Sequence, residues 1–162
     1  MTTKEEIWQE WTDRYVDTEN PIPLFETDEN LTVEYKNYGK DDRRILKRSE
    51  EMESLVREDG RKVVNDWSTS DDSYDGLIYL MYWLEDGNVI PLYVGKAGKY
   101  GRDGEGLSAN LRGLRGSSTG KFARWGDGHY YHIGNLSAIL FDHDKNQKQK
   151  YEKWADQLFD EG

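Results

Sequence analysis

The stretch DGLIYLMYWLEDGNVIPLYVGKAGKYGR, residues Asp75–Arg102, decides how this chain is read. Residues 77–84 and 89–95 are dense in Leu, Ile, Tyr, Trp and Val, the side chains that suit a pleated, half-buried surface. Between them stands Asp86-Gly87, a pair that tolerates positive φ at both turn positions and so favours a two-residue hairpin loop. The spacing predicts two antiparallel strands. Directly after them the composition changes to glycines and bases, running through Gly95, Lys96, Gly98, Lys99 and Gly101 to Arg102.

The change is conspicuous because the chain as a whole is acidic. Its 162 residues carry a net charge of -10, and mean hydropathy is -0.98. Between Tyr93 and Trp125 the balance reverses. Lys96, Lys99, Arg102, Arg112, Arg115, Lys121 and Arg124 stand against only Asp103 and Glu105, so this segment carries +5 and the remainder -15. Such a distribution suits a local site for an anion on an acidic body. Six Trp and eleven Tyr supply enough bulky apolar surface for a core, which excludes a disordered chain. The absence of cysteine excludes disulfides and thiolate zinc sites, and suits a reducing compartment. The start, MTTKEEIWQEW, has neither the basic beginning nor the apolar run of a secretory signal. No run of 18 apolar residues occurs, so no transmembrane helix is expected, and the expected location is the cytoplasm.

Outward from the hairpin, residues 4–16 place Ile7, Trp8, Trp11 and Tyr15 at helical spacing, with Thr2 or Thr3 as cap. NLTVEYKNY (30–38) alternates Leu31, Val33 and Tyr35 and reads as a strand. DDRRILKRSEEMESLVREDG (41–60) reads as a helix with Ile45, Met52, Leu55 and Val56 inward, ending near Gly60. STSDDSYDG (68–76) is a polar loop, which divides an N-terminal arm (1–70) from a core (71–162). GLSANLRGLRG (106–116) reads as a short helix with Ser108 near its cap. HYYHIGNLSAILF (129–141) reads as a further strand. DKNQKQKYEKWADQLF (144–159) reads as a helix with Tyr151, Trp154, Ala155 and Leu158 as its apolar stripe. The fold class expected is therefore α+β: a small three-stranded antiparallel sheet flanked by helices, with a mostly helical N-terminal extension.

The order GLIY (76–79), YVGK (93–96), then the arginine-bearing LSANLRGL (107–114), resembles the GIY-YIG nuclease superfamily. The resemblance covers residues 76–159, about half the chain. It implies metal-dependent hydrolysis of nucleic-acid phosphodiesters, with double-stranded DNA as the expected partner and restriction or another defence as the expected setting. It also implies catalytic roles for Tyr79, Tyr93, Lys96 and Arg112, and a metal-holding glutamate on a helix after the third strand, for which Glu152 is the candidate. The cofactor implied is a divalent ion, Mg²⁺ or Mn²⁺. Lys99, Arg102, Arg115, Lys121 and Arg124 are the candidate phosphate contacts. A homodimer would suit double-strand cleavage.

The chemistry of phosphodiester cleavage makes its own demands. The nucleophile must lose a proton and the transition-state charge must be offset. Tyrosine, with a pKa near 10 in water, needs a nearby cation to act as a base. Arginine suits the phosphate because its fork holds two oxygens and stays charged. A geometric condition follows. With a plain Asp86-Gly87 loop, opposite residues sum to 173, and Tyr79 and Tyr93 would lie on opposite faces of the hairpin. Sharing one face requires an odd loop or a bulge between Leu84 and Tyr93, where Pro91 lacks an N–H. Two other readings stay open: a nucleic-acid-binding module on the same scaffold that does not cut, and an acidic factor engaging a basic protein. His129 and His132, three apart in an expected strand, have poor spacing for a metal.

Overall fold

The computed structural model describes residues 2–115, 122, 125–128, 131–141 and 149–159. The elements run α1 (Lys4–Tyr15), β1 (Tyr35–Tyr38), β2 (Arg43–Leu46), α2 (Glu50–Thr69), β3 (Gly76–Glu85), β4 (Asn88–Gly98), α3 (Ala109–Arg112), α4 (His132–Leu140) and α5 (Gln149–Phe159). Among the described residues this is an α+β protein with two separate antiparallel pairs, β1–β2 and β3–β4. The chain divides into two compact units. One comprises the residues up to Ile22 with Ile78–Gly95; the other comprises Pro23–Leu77 with the chain from Lys96 onward.

In the first unit, α1 begins at Thr3 with a reciprocal cap. The Thr3 hydroxyl accepts from the Glu6 N–H at 3.1 Å, and the Glu6 carboxylate accepts from the Thr3 N–H at 2.7 Å. Trp8, Trp11 and Tyr15 stack along the helix at 5.6 and 5.5 Å. The Trp8 indole N–H donates to the Val89 carbonyl at 3.1 Å and ties α1 to β4. The hairpin turns on Asp86 (φ 49°) and Gly87 (φ 80°), the doubly positive loop whose twist matches that of the strands.

The second unit departs from the sequence expectation in two places. Residues 41–48 are not helical: Arg43–Leu46 forms β2, registered Tyr35↔Leu46 through Tyr38↔Arg43 on β1. Ile45 and Leu46 are both buried, so both faces of this short strand are covered. The helix starts only after Ser49, whose hydroxyl accepts from the Met52 N–H at 3.0 Å, and it continues through Gly60 to Thr69. Within the helix, Gly60 leaves room for Leu114, whose Cδ1 would lie 2.2 Å from a Cβ at this position. The preceding strand is also shorter than expected. Val33 makes a single bridge to Thr27, and Leu31 is exposed at φ 62°.

The second departure is larger. Part of the segment expected as a third strand, His132–Leu140, is helix α4, so the three-stranded sheet is replaced by the two separate pairs. Every residue from His132 to Ala138 is buried, which leaves α4 no polar face. It packs on β2, where the Leu46 N–H donates to the Ser137 hydroxyl at 3.0 Å, and against α5 through Tyr151 and Trp154. A Cβ on Gly134 would lie 2.0 Å from the Gly128 carbonyl oxygen, so glycine permits this close approach of loop and helix. Ile45, Leu46, Leu111, Leu114, Ile133 and Leu136 are the most deeply buried large apolar residues of the unit, with Val63. Among the described residues no helix is long and apolar enough to cross a membrane.

Candidate functional site

Tyr79 and Tyr93 share one face of the hairpin, their ring centroids 6.0 Å apart and tilted at 47°. The glycine of YVG explains how. A Cβ on Gly95 would lie 2.2 to 2.4 Å from Cζ, Cε2 and the hydroxyl oxygen of Tyr79, so that ring lies across the bare glycine backbone. The two-residue loop pairs Glu85 with Asn88, an odd sum; Tyr79 over Gly95 and beside Tyr93 gives even sums. The register therefore slips by one residue between the turn and Tyr93, as an alignment of these tyrosines requires. The exposure pattern agrees: Ile78 and Trp83, five residues apart, are the exposed apolar positions of β3. The Tyr79 hydroxyl is buried.

The other motif glycine has a similar cause. Gly76 has φ 149°, and a Cβ there would lie 2.2 Å from the Ala97 carbonyl oxygen. Both glycines of the GLIY and YVG motifs thus answer to close packing between the strands. Lys96 follows Gly95 directly. Strand alternation assigns it, with exposed Val94, to the face of β4 opposite Tyr93 and Gly95. Its side chain is exposed.

Lys99 has a different environment from the other bases. It is 1% exposed, and its ammonium donates to Asp66 at 2.8 Å and to Asp72 at 3.0 Å. The hydrogen bond to Asp66 is the main cause that raises the Lys99 pKa above its ordinary value, burial opposing it. The same bond holds the Asp66 carboxyl below the usual carboxylate range. Asp66 also accepts from the Ser73 N–H at 2.8 Å, and the Lys99 N–H donates to the Asp75 carbonyl at 2.8 Å. The polar loop 70–75 is therefore folded around this buried clasp. Asp66 and Asp72 stand 33 and 27 residues from Lys99, and no local pattern announces the pairing.

The arginines follow from the clasp. The Ser108 N–H donates to the Lys99 carbonyl at 2.9 Å, and the Arg112 N–H donates to the Ser108 carbonyl at 2.9 Å, which starts α3. Leu111 is fully buried and anchors the helix, leaving Arg112 and Arg115 exposed. The Arg115 guanidinium lies over the Trp67 ring, 4.9 Å from its centroid. Arg102 is exposed in the loop between the bridged residues Tyr100 and Leu107. Lys121, Arg124 and His129 lie outside the described residues.

Glu152 is exposed in the first turn of α5, which follows helix α4 rather than a strand. Among the described residues no group of three His, Asp or Glu side chains is placed to hold a metal ion. Mg²⁺ asks for less, taking one or two carboxylates with waters and phosphate oxygens. Glu152 is one such carboxylate. His132 is in the core, its Nδ1 2.8 Å from the Tyr151 hydroxyl.

A second charged centre, missed in the sequence, is buried behind β2. Arg48 pairs with Glu53 at 2.6 Å and bonds the Trp125 carbonyl, and Asp127 pairs with Lys36 at 3.0 Å. Its groups satisfy one another and join β1, β2, α2 and the 125–128 loop. Comparison with protein-family models, with curated proteins and with solved structures finds no match.

Proposed function

We propose that this chain is a GIY-YIG-like endonuclease that hydrolyses DNA phosphodiesters with a divalent ion, Mg²⁺ or Mn²⁺, in the cytoplasm, in restriction or another defence. The observation that carries the reading is the Tyr79–Tyr93 pair, two phenols held 6.0 Å apart on one face over a glycine. Two hydroxyl-bearing rings so arranged suit the handling of one water and one phosphate oxygen. In this reading Tyr79 and Tyr93 orient the attacking water. Arg112 offsets phosphate charge, and Lys96, exposed on the other face of β4, contacts flanking phosphates with Arg102 and Arg115. Glu152 would hold the ion, which when bound supplies charge stabilisation at the leaving oxygen. Lys99 serves through the fold rather than by touching phosphate, because both carboxylates of its clasp already hold its ammonium.

The test is incubation with plasmid and with RNA in Mg²⁺ or Mn²⁺, against an EDTA control and the variants Tyr79→Phe and Arg112→Ala. Nicking or linearisation by the wild type, reduced about a hundredfold or more in each variant, is expected. Wild-type inactivity in every metal sinks the nuclease reading, and equal activity in the variants assigns the cutting to a contaminant. Size-exclusion chromatography with bound duplex distinguishes a monomer from the dimer that double-strand cutting would suit.

A second reading, a nucleic-acid-binding module that does not cut, is favoured by α4, which occupies the chain position where the resemblance calls for a third strand. Salt-dependent binding without cleavage would select it.

A further inference from the structure

The buried clasp has a consequence at the surface. Asp66 is followed by Trp67, and Lys99 by Tyr100, so one buried ion pair anchors the backbone beneath two aromatic rings. Tyr100 is 47% exposed and Trp67 is half-buried. An arginine lies over Trp67, and a second approaches the residue bridged to Tyr100. The Arg115 guanidinium covers Trp67 at 4.9 Å, and the Arg112 Nη2 lies 3.5 Å from the carbonyl of Leu107, the residue bridged to Tyr100. The Lys99 ammonium lies 5.0 Å from the Tyr100 ring centroid on the inner side. Hydrogen bonds from Ser108 to Lys99 and from Arg112 to Ser108 tie the arginine helix to the same anchor. Between Tyr93 and Arg115 five bases stand against two acids, so the segment that carries Tyr100 lies in a cationic stretch.

We infer that Trp67, Tyr100, Arg112 and Arg115 form a preorganised stacking platform for unpaired nucleobases, so that the nucleic acid engaged has a single-stranded segment. The inference rests on the reading of nucleic acid as partner. Its chemistry is that of single-strand recognition: aromatic rings take the base faces while arginines take the phosphates and stack in turn. A base pair within a duplex presents no open face to a ring, so a platform of this kind is idle on an intact duplex. The clasp lowers the cost of binding, because the platform does not have to be ordered by its ligand.

The test is fluorescence anisotropy in EDTA with three labelled probes of equal length: oligothymidylate, the same backbone carrying abasic residues, and a duplex. The wild type is expected to bind oligothymidylate about 10–100-fold more tightly than the abasic strand, whose charge is the same. Tyr100→Ala and Trp67→Ala are each expected to lose roughly that factor on oligothymidylate, while Tyr100→Phe and Trp67→Phe keep it, since stacking needs the ring alone. Equal wild-type affinity for the thymidylate and abasic strands overturns the platform without any variant having to fold. So does equal loss in the Phe and Ala variants. Tight duplex binding with none to oligothymidylate removes this inference and leaves the nuclease reading standing. Binding to no probe removes both.

Discussion

Gly95→Ala tests the tyrosine pairing most directly. The added methyl would lie 2.2 Å from the Tyr79 Cζ, 2.3 Å from its Cε2 and 2.4 Å from its hydroxyl oxygen. Carbon atoms prefer about 3.5–4.0 Å, so the ring must retreat by roughly 1–2 Å or the hairpin must open. Overpacking of this kind costs about 1–3 kcal/mol. Loss of the Tyr79–Tyr93 ring contact adds about 0.5–1.5 kcal/mol. The backbone of Gly95 is not in the positive-φ region, so alanine also recovers about 0.4–1 kcal/mol of unfolded-state entropy. The net expectation is a loss of about 1–3 kcal/mol, or roughly 3–10 °C in Tm for a chain of this size. Thermal unfolding followed by circular dichroism reads it. In a Tyr79→Ala background the ring is gone, so Gly95→Ala should be close to neutral there. The double-mutant cycle then reports about 1–3 kcal/mol of coupling. A Gly95→Ala variant as stable as the wild type, or one equally costly without the Tyr79 ring, refutes the packing argument.

Three further outcomes follow. Gly76→Ala combines φ 149° with a contact of 2.2 Å to the Ala97 carbonyl oxygen; backbone cannot yield as a side chain can, so soluble yield should fall further than for Gly95→Ala. Ser49→Ala removes the acceptor for the Met52 N–H and should cost about 0.5–2 kcal/mol, measured as a shift in urea midpoint at unchanged slope. The Asp66 carboxyl titrates below its ordinary 3.8, so its contribution to stability is complete above that pH and lost as acid protonates it. The raised Lys99 pKa works in the opposite direction, its contribution being complete below the ordinary 10.5 and lost only at still higher pH. Urea midpoints measured as pH falls from about 5 to about 2 should thus drop for the wild type and drop less for Asp66→Asn. Parallel curves would remove the clasp as the acid-sensitive element.

Local patterns were sufficient for several elements. The cap at Thr3, the Asp86-Gly87 turn, the strands beside it and the Ser108 start of α3 all depend on neighbours within a few residues. So does α5, whose buried Tyr151, Trp154 and Ala155 recur at helical spacing because its other face meets water. The segment 129–141 misleads for the opposite reason. From His132 to Ala138 every residue is buried, so α4 shows no 3.6-residue alternation and its apolar run resembles a strand. Arg43–Leu46 misleads too, because two consecutive buried residues on a short paired strand mimic the inner stripe of a charged helix.

The candidate site divides in the same way. The motif order, the cationic stretch and the need for a register slip were legible along the chain, since each rests on residue types, charges and strand parity. Residue order alone gives a tyrosine-rich hairpin that runs into glycines and bases on an acidic protein. It takes the folded chain to lay Tyr79 across Gly95 beside Tyr93, and to bury Lys99 between Asp66 and Asp72 while Arg112 and Arg115 remain exposed. The physical reason is range. Capping and turn chemistry act between neighbours, whereas a buried charge is tolerated only where distant parts of the chain bring its partners to it.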